Sequence, residues 1–355
     1  MNEIPIFDHR TLGQRVMFGS GQAANHLRSA TYDLSASTPM VVAARGDRSL
    51  ADAVLGDLDV AVRFDDVRPH VPVAQAEQAR SIAREHGADL LISIGGGSTT
   101  GLAKAVALTT GLPIIAVPTT YAGSEATNVW GITEAARKTT GQDDRVLPHT
   151  VVYDAELTRS LPCELSVASA CNALAHCVDS LWAPSANPIN SALATEAIRA
   201  LADALPEVAD RPESLAGREH ALYGAYLAAV AFASAGSGLH HKICHVLGGR
   251  FDLPHAQTHT IVLPHVLAFN APYAQAAATR TAAALGATDA VDGLRALLKS
   301  VEAPTALRDV GLAEGDLDEA ADLILPVVPA SNPRPVTREE LGELLRNAWM
   351  GTVSS

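Results

Sequence analysis

The chain has 355 residues, of which 48% are hydrophobic and 18% are charged, a composition typical of soluble globular proteins. The 39 acidic and 26 basic residues give a net charge of −13 with no basic stripe, so no nucleic-acid partner is expected. The four cysteines lack a CxxC spacing, no signal peptide is recognisable, and no apolar stretch reaches membrane-spanning length. We therefore expect a reduced, cytoplasmic protein of two domains with no membrane partner.

Residues 1–160 alternate short β-rich runs with helical patterns. The helical patterns cover residues 73–86 and 100–109. The strand candidates are residues 15–18, 39–43, 90–94, 112–117 and 150–153. This alternation predicts a Rossmann-like α/β domain, whose mostly parallel sheet is covered by helices on both faces.

A glycine loop follows the strand candidate at residues 90–94. Gly95, Gly96, Gly97 and Ser98 stand between that strand and a helix start, where glycines allow close approach of a pyrophosphate to free helix N–H groups. The pattern alone also fits a tight turn without a ligand. A second loop at residues 117–127 is rich in hydroxyl groups and follows the next strand. Two such loops at neighbouring strand ends favour a nucleotide, although the spacing is not GxGxxG.

After residue 160 the strand signal ends, and long Ala- and Leu-rich segments are separated by Pro and Gly. The predicted helices cover residues 166–182, 188–205, 214–235, 274–285, 289–301, 317–325 and 338–349. Residues 161–355 are therefore predicted to form an all-helical domain. A ligand cleft is expected between the two domains.

Histidines are concentrated in the helical half. Four of the 13 fall within a 16-residue window: His240, His241, His245 and His255. Histidine binds metals and transfers protons near neutral pH. Upstream, Asn172 and His176 are one helical turn apart, with an amide where a metal site would have a carboxylate. Burying these groups without a function would be costly, which favours a catalytic cluster.

Taken in order, the glycine loop, residues 118–127, the Asn172-x-x-x-His176 pair and the histidine cluster resemble the iron-containing (group III) alcohol dehydrogenase superfamily. Residues 137–141, 239–249 and 332–337 resemble, within it, the maleylacetate reductase family. The resemblance runs from residue 15 to the end. It implies a dehydroquinate synthase-like architecture, with a dinucleotide-binding domain before a helical catalytic domain. The implied activity is NAD(P)H-dependent reduction of the C=C bond of maleylacetate to 3-oxoadipate, in the breakdown of aromatic compounds.

The resemblance also implies a cofactor site. Gly95, Gly96, Gly97 and Ser98 would hold the pyrophosphate of NADH or NADPH, and the other contacts would be Thr119, Thr120, Ser124 and Lys138. Arg45 follows the strand at residues 39–43, where an acidic residue would favour NAD. Arg45 could accept a 2′-phosphate or be simply exposed, so use of either cofactor is expected.

In the metal-dependent relatives one Asp and three His bind the metal. The corresponding positions here are Asn172, His176, His241 and His255. A neutral amide oxygen is a poor ligand for a divalent transition metal beside three neutral imidazoles. We therefore predict vestigial positions without a metal, with a weakly held zinc or iron ion as the alternative.

Catalysis without a metal is chemically reasonable, because reduction of a conjugated ketone passes through an enolate that hydrogen-bond donors can stabilise. His241 and His245 are predicted to donate these bonds and the proton, either as neutral or as protonated rings, while His176 and His255 shape the pocket. The predicted contacts of the dicarboxylate substrate are Tyr121, Asn172, His240 and Lys242. His240 is about 100° from His241 on a helix and fits a solvent-facing position equally well.

Three alternative functions remain open from the sequence. A metal-dependent alcohol or polyol dehydrogenase would need a carboxylate at position 172. A sugar-phosphate cyclase related to dehydroquinate synthase would need a tight metal and several cations. A cofactor-binding protein without activity is favoured only by Asn172. A homodimer is expected from the type of fold.

Overall fold

The computed structural model describes residues 6–134 and 137–352, and at Arg137 and Lys138 the backbone alone. These residues form two compact units. One unit spans Thr11–Leu161. In the described part of the chain, the other contains residues 162–352 and also residues 6–10.

The first unit is built on a parallel sheet, which contains six strands in the described part of the chain, in the order β1-β8-β5-β4-β2-β3. All of its strand pairs are parallel, which confirms the predicted sheet type. The eight strands of the described chain are β1 (Arg15–Phe18), β2 (Pro39–Val42), β3 (Val62–Phe64), β4 (Leu90–Gly95), β5 (Ile114–Pro118), β6 (Val129–Glu134), β7 (Arg137–Gln142) and β8 (Thr150–Tyr153).

Helices cover both faces of this sheet. They are α1 (Ala23–Asp33), α2 (Arg48–Leu55), α3 (Val73–Glu85) and α4 (Gly97–Thr110). Val41 of β2 packs in one core with α1 and α2, whereas its neighbours Met40 and Val42 pack in a second core with α3 and α4. Successive side chains of a strand point to opposite faces, so one buried apolar strand supplies both cores.

The sequence did not indicate β3, β6 or β7. β6 and β7 form an antiparallel pair outside the main sheet. Each residue of β6 is at least partly exposed, so this strand has no buried apolar run of the kind by which the others were predicted. β3 has only three residues, of which Phe64 alone is buried.

The second unit is all-helical in its described residues, as predicted. Its helices are α5 (Cys163–Ser180), α6 (Pro188–Asp210), α7 (Leu215–Ala235), α8 (Leu239–Phe251), α9 (His255–Asn270), α10 (Gln275–Ala284), α11 (Ala290–Ser300), α12 (Leu317–Ile324) and α13 (Arg338–Met350). α8 and α9, which carry the histidine cluster, were not among the predicted helices. α8 ends where Asp252 adopts a positive φ of 55°, and Pro254 precedes the first turn of α9.

No single helix in the described ranges is long and apolar enough to cross a membrane. α7 and α8 pass the test of length and composition only as a pair, across a bend of 100°.

Candidate active site

A buried carboxylate, Asp179 of α5, organises the first turn of α8. Its Oδ2 accepts hydrogen bonds from the backbone N–H groups of Gly238 at 3.0 Å and His241 at 3.2 Å, and from His241 Nδ1 at 2.7 Å. Its Oδ1 accepts from Trp182 Nε1 at 3.2 Å. A Cβ atom at Gly238 would lie 2.5 Å from Asp179 Oδ1, so only glycine fits at this helix start. These bonds fix the His241 ring relative to α5.

The contact with Asp179 decides which nitrogen of His241 carries the proton. Because Oδ2 already accepts two backbone N–H groups, it acts as an acceptor, and Nδ1 of His241 is the donor. In the neutral ring, Nε2 therefore offers a lone pair. The sequence allowed a neutral or a protonated donor, but His241 can donate from Nε2 only when the ring is protonated.

A group of buried polar atoms surrounds His241. The His176 ring stacks on His241 with centroids 5.0 Å apart, and Phe232 of α7 contacts both rings at 4.7 and 4.3 Å. Asn172 Oδ1, His176 Nδ1 and His241 Nε2 are buried and have no hydrogen-bond partner among the described residues. Buried polar atoms in proteins are nearly always satisfied, so such a group is typical of a site completed by a ligand or water.

His240 is buried inside the helical unit. It is 0% exposed, and its Nε2 lies 2.9 Å from Nδ1 of His259 on α9. The solvent-facing alternative for His240 is therefore wrong. The His240 and His259 rings lie 5.1 and 4.9 Å from the His241 ring, so the hydrogen-bonded pair supports His241 from α8 and α9.

His245 and His255 form the exposed ends of the cluster. His245 is one turn after His241, with ring centroids 5.9 Å apart. His255 begins α9, and its ring lies 4.3 Å from His259. The four histidines predicted as catalytic are thus connected by ring contacts that pass through His241 and His259. Lys242, the predicted cation, is partly exposed.

The interior of the cluster is neutral at physiological pH. Burial lowers the pKa of His176 to about 4 and holds the pKa values of His240, His241 and His259 well below the usual range. Mutual repulsion among the rings adds to this effect. The neutral imidazoles therefore surround one carboxylate, Asp179.

The four positions that the resemblance assigns to a metal include no anionic ligand. Asn172 contributes a neutral amide oxygen, and His176, His241 and His255 contribute neutral imidazoles. The three rings also do not form a group whose donor nitrogens all lie within 4.8 Å of one another in the described structure. The residues present therefore lack an anionic ligand and, as described, are not assembled around one metal position.

A neighbouring group does bring donor atoms together. His240, Cys244 and His259 have donor atoms within 4.8 Å of one another, with Cys244 Sγ 3.6 Å from His240 Nε2. The two imidazoles share a hydrogen bond, and burial raises the pKa of the Cys244 thiol well above its usual range. The arrangement is thus a neutral, hydrogen-bonded support for the site.

The glycine loop of the first unit fits a pyrophosphate. Gly95 ends β4 with a φ of 147°, and a Cβ atom there would lie 2.6 Å from Thr99 Oγ1. Gly96, Gly97 and Ser98 are partly exposed where α4 begins. The first N–H groups of a helix lack intrahelical acceptors and attract anions, so the loop offers both space and donors.

The hydroxyl-rich loop after β5 contacts the glycine loop. The Thr119 N–H donates to the Gly95 carbonyl oxygen at 3.1 Å, and a Cβ atom at Gly96 would lie 3.0 Å from Thr120 Cγ2. Thr120 and Ser124 are partly exposed, whereas Thr119 is buried. The two predicted cofactor loops therefore lie side by side within one unit.

Tyr121 and Lys138 are the remaining predicted contacts in the first unit. Tyr121, predicted to contact substrate, is fully buried, and its hydroxyl group donates to Thr158 Oγ1 at 3.3 Å. It supports the loop from inside the unit. The side chain of Lys138, predicted as a cofactor contact, lies outside the described residues.

Sequence reasoning missed Asp179 and His259. Asp179 follows His176 by three residues and His259 follows His255 by four, so each shares a helix face with a residue that was singled out. That spacing was the available signal. The bond from Asp179 to His241, 62 residues away, was not readable from the chain.

Comparison with known proteins assigns the family. The model "Iron-containing alcohol dehydrogenase" matches residues 13–155, and "Fe-containing alcohol dehydrogenase family, C-terminal" matches residues 166–349. A maleylacetate reductase of Pseudomonas sp. (strain P51) is 44% identical over 347 residues, which are 97% of this chain and 98% of that protein.

Solved structures agree with this assignment. An iron-containing alcohol dehydrogenase from Corynebacterium glutamicum superposes with a TM-score of 0.96 at 57% identity, covering 98% of both chains. A maleylacetate reductase from Agrobacterium tumefaciens superposes with a TM-score of 0.93 at 39% identity, covering 99% of this chain and 100% of that one. The predicted fold and resemblance are confirmed: the chain is an oxidoreductase and belongs to the iron-containing alcohol dehydrogenase family.

Proposed function

We propose that this protein is a maleylacetate reductase that uses NADH or NADPH and no metal. The observation that carries the metal-free mechanism is the Asp179–His241 pair within a neutral histidine cluster that has Asn172 at the carboxylate position. The substrate assignment is supported by maleylacetate reductases that are 44% and 45% identical over 97% of the chain. The cytoplasmic location and the homodimer stay predictions.

The proposed reaction requires a proton donor rather than a Lewis acid such as a metal ion. A bound NADH or NADPH would supply a hydride to C2 of maleylacetate. The C2=C3 electrons would then move onto the C4 oxygen, and the resulting enolate would take a proton at C3 to give 3-oxoadipate. This enolate is conjugated and forms more readily than a simple alkoxide. Positioned hydrogen-bond donors can therefore stabilise it in place of a metal.

His241 is the proposed acid. Its protonated ring would direct Nε2–H toward the substrate, while Asp179 stabilises the positive charge through Nδ1. The substrate is a dianion, and a nearby negative charge favours the protonated imidazole, so substrate binding promotes proton uptake. His245 is proposed as a second donor, and His176 and His255 shape the pocket.

Two of the four predicted substrate contacts keep that role. Asn172 has a buried amide oxygen without a partner among the described residues, and Lys242 is a partly exposed cation. The Lys242 ammonium group and the N–H donors of the Asn172 amide are suited to a substrate carboxylate, whereas the Asn172 oxygen, an acceptor, is not. His240 and Tyr121 have no exposed surface, so we propose that they support His259 and the hydroxyl-rich loop instead.

The proposed cofactor contacts lie in the first unit. The pyrophosphate would be held by Gly95, Gly96, Gly97 and Ser98. The remaining contacts would be Thr119, Thr120, Ser124 and Lys138. The side-by-side arrangement of the two loops supports this assignment.

The proposal is tested by a maleylacetate assay combined with metal analysis. Purified protein is expected to oxidise NADH or NADPH when maleylacetate is added, at a rate unchanged by exhaustive dialysis against EDTA. Metal content should be far below one ion per chain. Loss of activity with EDTA and recovery with Fe²⁺ or Zn²⁺ would contradict the metal-free mechanism. No maleylacetate-dependent oxidation of either cofactor, with turnover of simple alcohols, would instead support the alcohol dehydrogenase alternative.

Cofactor preference is expected to depend on Arg45, just after β2. Arg45 and Arg48 pair with Asp65 at 3.4 and 2.8 Å, and their side chains are 77% and 65% exposed. If Arg45 accepts the 2′-phosphate, Arg45→Ala should raise the KM for NADPH about five- to tenfold, as expected for an exposed charge-assisted contact. The KM for NADH should stay within about twofold.

Arg28→Ala serves as the matched control for Arg45→Ala. Arg28 also forms an exposed ion pair in the first unit, with Asp57, but it lies on α1. Its loss should leave both KM values unchanged. Equal effects of Arg45→Ala on NADH and NADPH would contradict a role in 2′-phosphate binding.

A further inference from the structure

A buried cation holds the hydroxyl-rich loop. Lys104 lies on α4 and is 1% exposed. Its Nζ donates to the carbonyl oxygens of Ser124, Thr127 (2.7 Å) and Val129 (2.9 Å), and to Thr127 Oγ1 at 3.0 Å. Lysine is almost never fully buried without partners. Here all four acceptors belong to the segment that follows β5.

The same segment is held from a second side. Glu125 is 2% exposed, and its carboxylate accepts a hydrogen bond from the Tyr153 hydroxyl group of β8 at 2.7 Å. The Glu125 carbonyl oxygen accepts from Gln14 Nε2 at 2.8 Å. The loop is therefore anchored to α4 and β8 at its distal part, while Thr119 and Thr120 contact the glycine loop.

We propose that Lys104 is a positioning residue of the cofactor site, whose ammonium group holds residues 119–129 in the conformation that presents Thr120 and Ser124 to NAD(P)H. The inference rests on the proposed function, since it takes this loop as part of the cofactor site. Lys104 itself has no surface for a ligand. It acts through the backbone carbonyl groups of the loop.

The charge of Lys104 gives this role a pH dependence. Burial lowers the pKa of Lys104 to about 7, while the negative charge of Glu125 acts in the opposite direction. An ammonium group has three N–H donors and a neutral amine has two. Loss of the proton therefore removes one bond to the loop, so cofactor binding should be tightest below the pKa and weaken as the pH rises through it.

Few other charged groups lie near Lys104. Several elements of the first unit pack against α4. Among their described residues, Glu125 and Arg80 of α3 are the charged side chains that are buried. Arg80 donates to the Ala105 carbonyl oxygen and pairs with Glu77. The charged residues of β6 and of the turn after β7 are at least partly exposed: Glu134, Asp143, Asp144 and Arg145. Asp143 pairs with Arg145 at 2.7 Å.

The test compares two buried cations of one unit. In Lys104→Met, the Kd for NADH, measured by fluorescence titration, should rise at least about tenfold, while kcat at saturating NADH stays within about threefold. Arg80→Met removes a buried cation that donates to α4 but not to the loop. It should lower Tm and leave the Kd for NADH within about twofold. Between pH 6 and 9 the wild-type Kd should rise, and that of Lys104→Met should stay level.

Two results would overturn the inference. One is a folded Lys104→Met variant with the wild-type Kd, and the other is a rise in Kd no larger than that of Arg80→Met. If Lys104→Met does not fold, Thr127→Val is the second test. It removes the hydroxyl acceptor of Lys104, together with the bonds of that hydroxyl group to the Ser124 carbonyl oxygen and the Val129 N–H, and should raise the Kd about two- to threefold. An unchanged Kd would again contradict the inference. A wild-type protein that binds neither NADH nor NADPH would contradict the proposed function itself.

Discussion

Replacing Asp179 with asparagine is expected to lower kcat with maleylacetate by about 10²- to 10³-fold, with the Kd for NADH unchanged. The amide has one acceptor oxygen where the carboxylate has two, and it cannot stabilise a protonated His241. The ring would then lose both its orientation and its favoured charge state. Steady-state kinetics with maleylacetate, together with NADH fluorescence titration, measure the two effects separately.

A double-mutant cycle distinguishes positioning from loss of stability. If Asp179 acts through His241, Asp179→Asn should have little further effect on kcat in the background of His241→Phe. Trp182→Phe is the matched control, because it removes only the donor to Oδ1 and should change kcat less than about fivefold. Additive effects of the Asp179 and His241 substitutions would contradict the proposed pair.

Replacing Asn172 with aspartate is expected to increase zinc affinity by at least about 100-fold over the wild-type protein. The substitution supplies the anionic ligand that the four positions lack. His255 is exposed, so its ring has room to turn toward an ion. Without metal, the variant should also reduce maleylacetate more slowly than the wild type, because a second buried carboxylate repels the dianionic substrate.

Calorimetric titration with Zn²⁺ and metal analysis of the purified protein measure this change. Asn172→Leu is the control, since it removes the amide without adding charge and should leave zinc binding as weak as in the wild type. A wild-type protein that binds zinc as tightly as Asn172→Asp would show that the amide suffices as a ligand. The metal-free mechanism would then be wrong.

The sequence predicted the parts of the fold that depend on buried apolar runs. The strand at residues 90–94 was recognisable because β4 is buried along its whole length, whereas β6 is exposed on both sides and carries no such pattern. The helices of the second unit were indicated by Ala- and Leu-rich segments between Pro and Gly. The limits of α8 and α9 were not, because their polar histidines interrupt the apolar pattern.

The candidate site was predicted by residue type and only in part by arrangement. The histidine cluster stood out because so many imidazoles fall close together in the chain. Asp179 and Lys104 did not stand out, since a single charged residue on a helix is ordinarily solvated. Their roles depend on contacts with residues 62 and 20–25 positions away, which neither composition nor helical spacing determines.

The shared use of Asp179 Oδ2 has a consequence for how this enzyme can be altered. This one oxygen atom accepts the Gly238 and His241 N–H groups at the start of α8. It also orients the His241 ring, the proposed proton donor. A substitution of Asp179 is therefore expected to change both the stability of the protein and the rate of reduction, because the same oxygen serves both. Variation in this pocket is expected instead at neighbours such as Asn172, whose amide oxygen has no hydrogen-bond partner among the described residues.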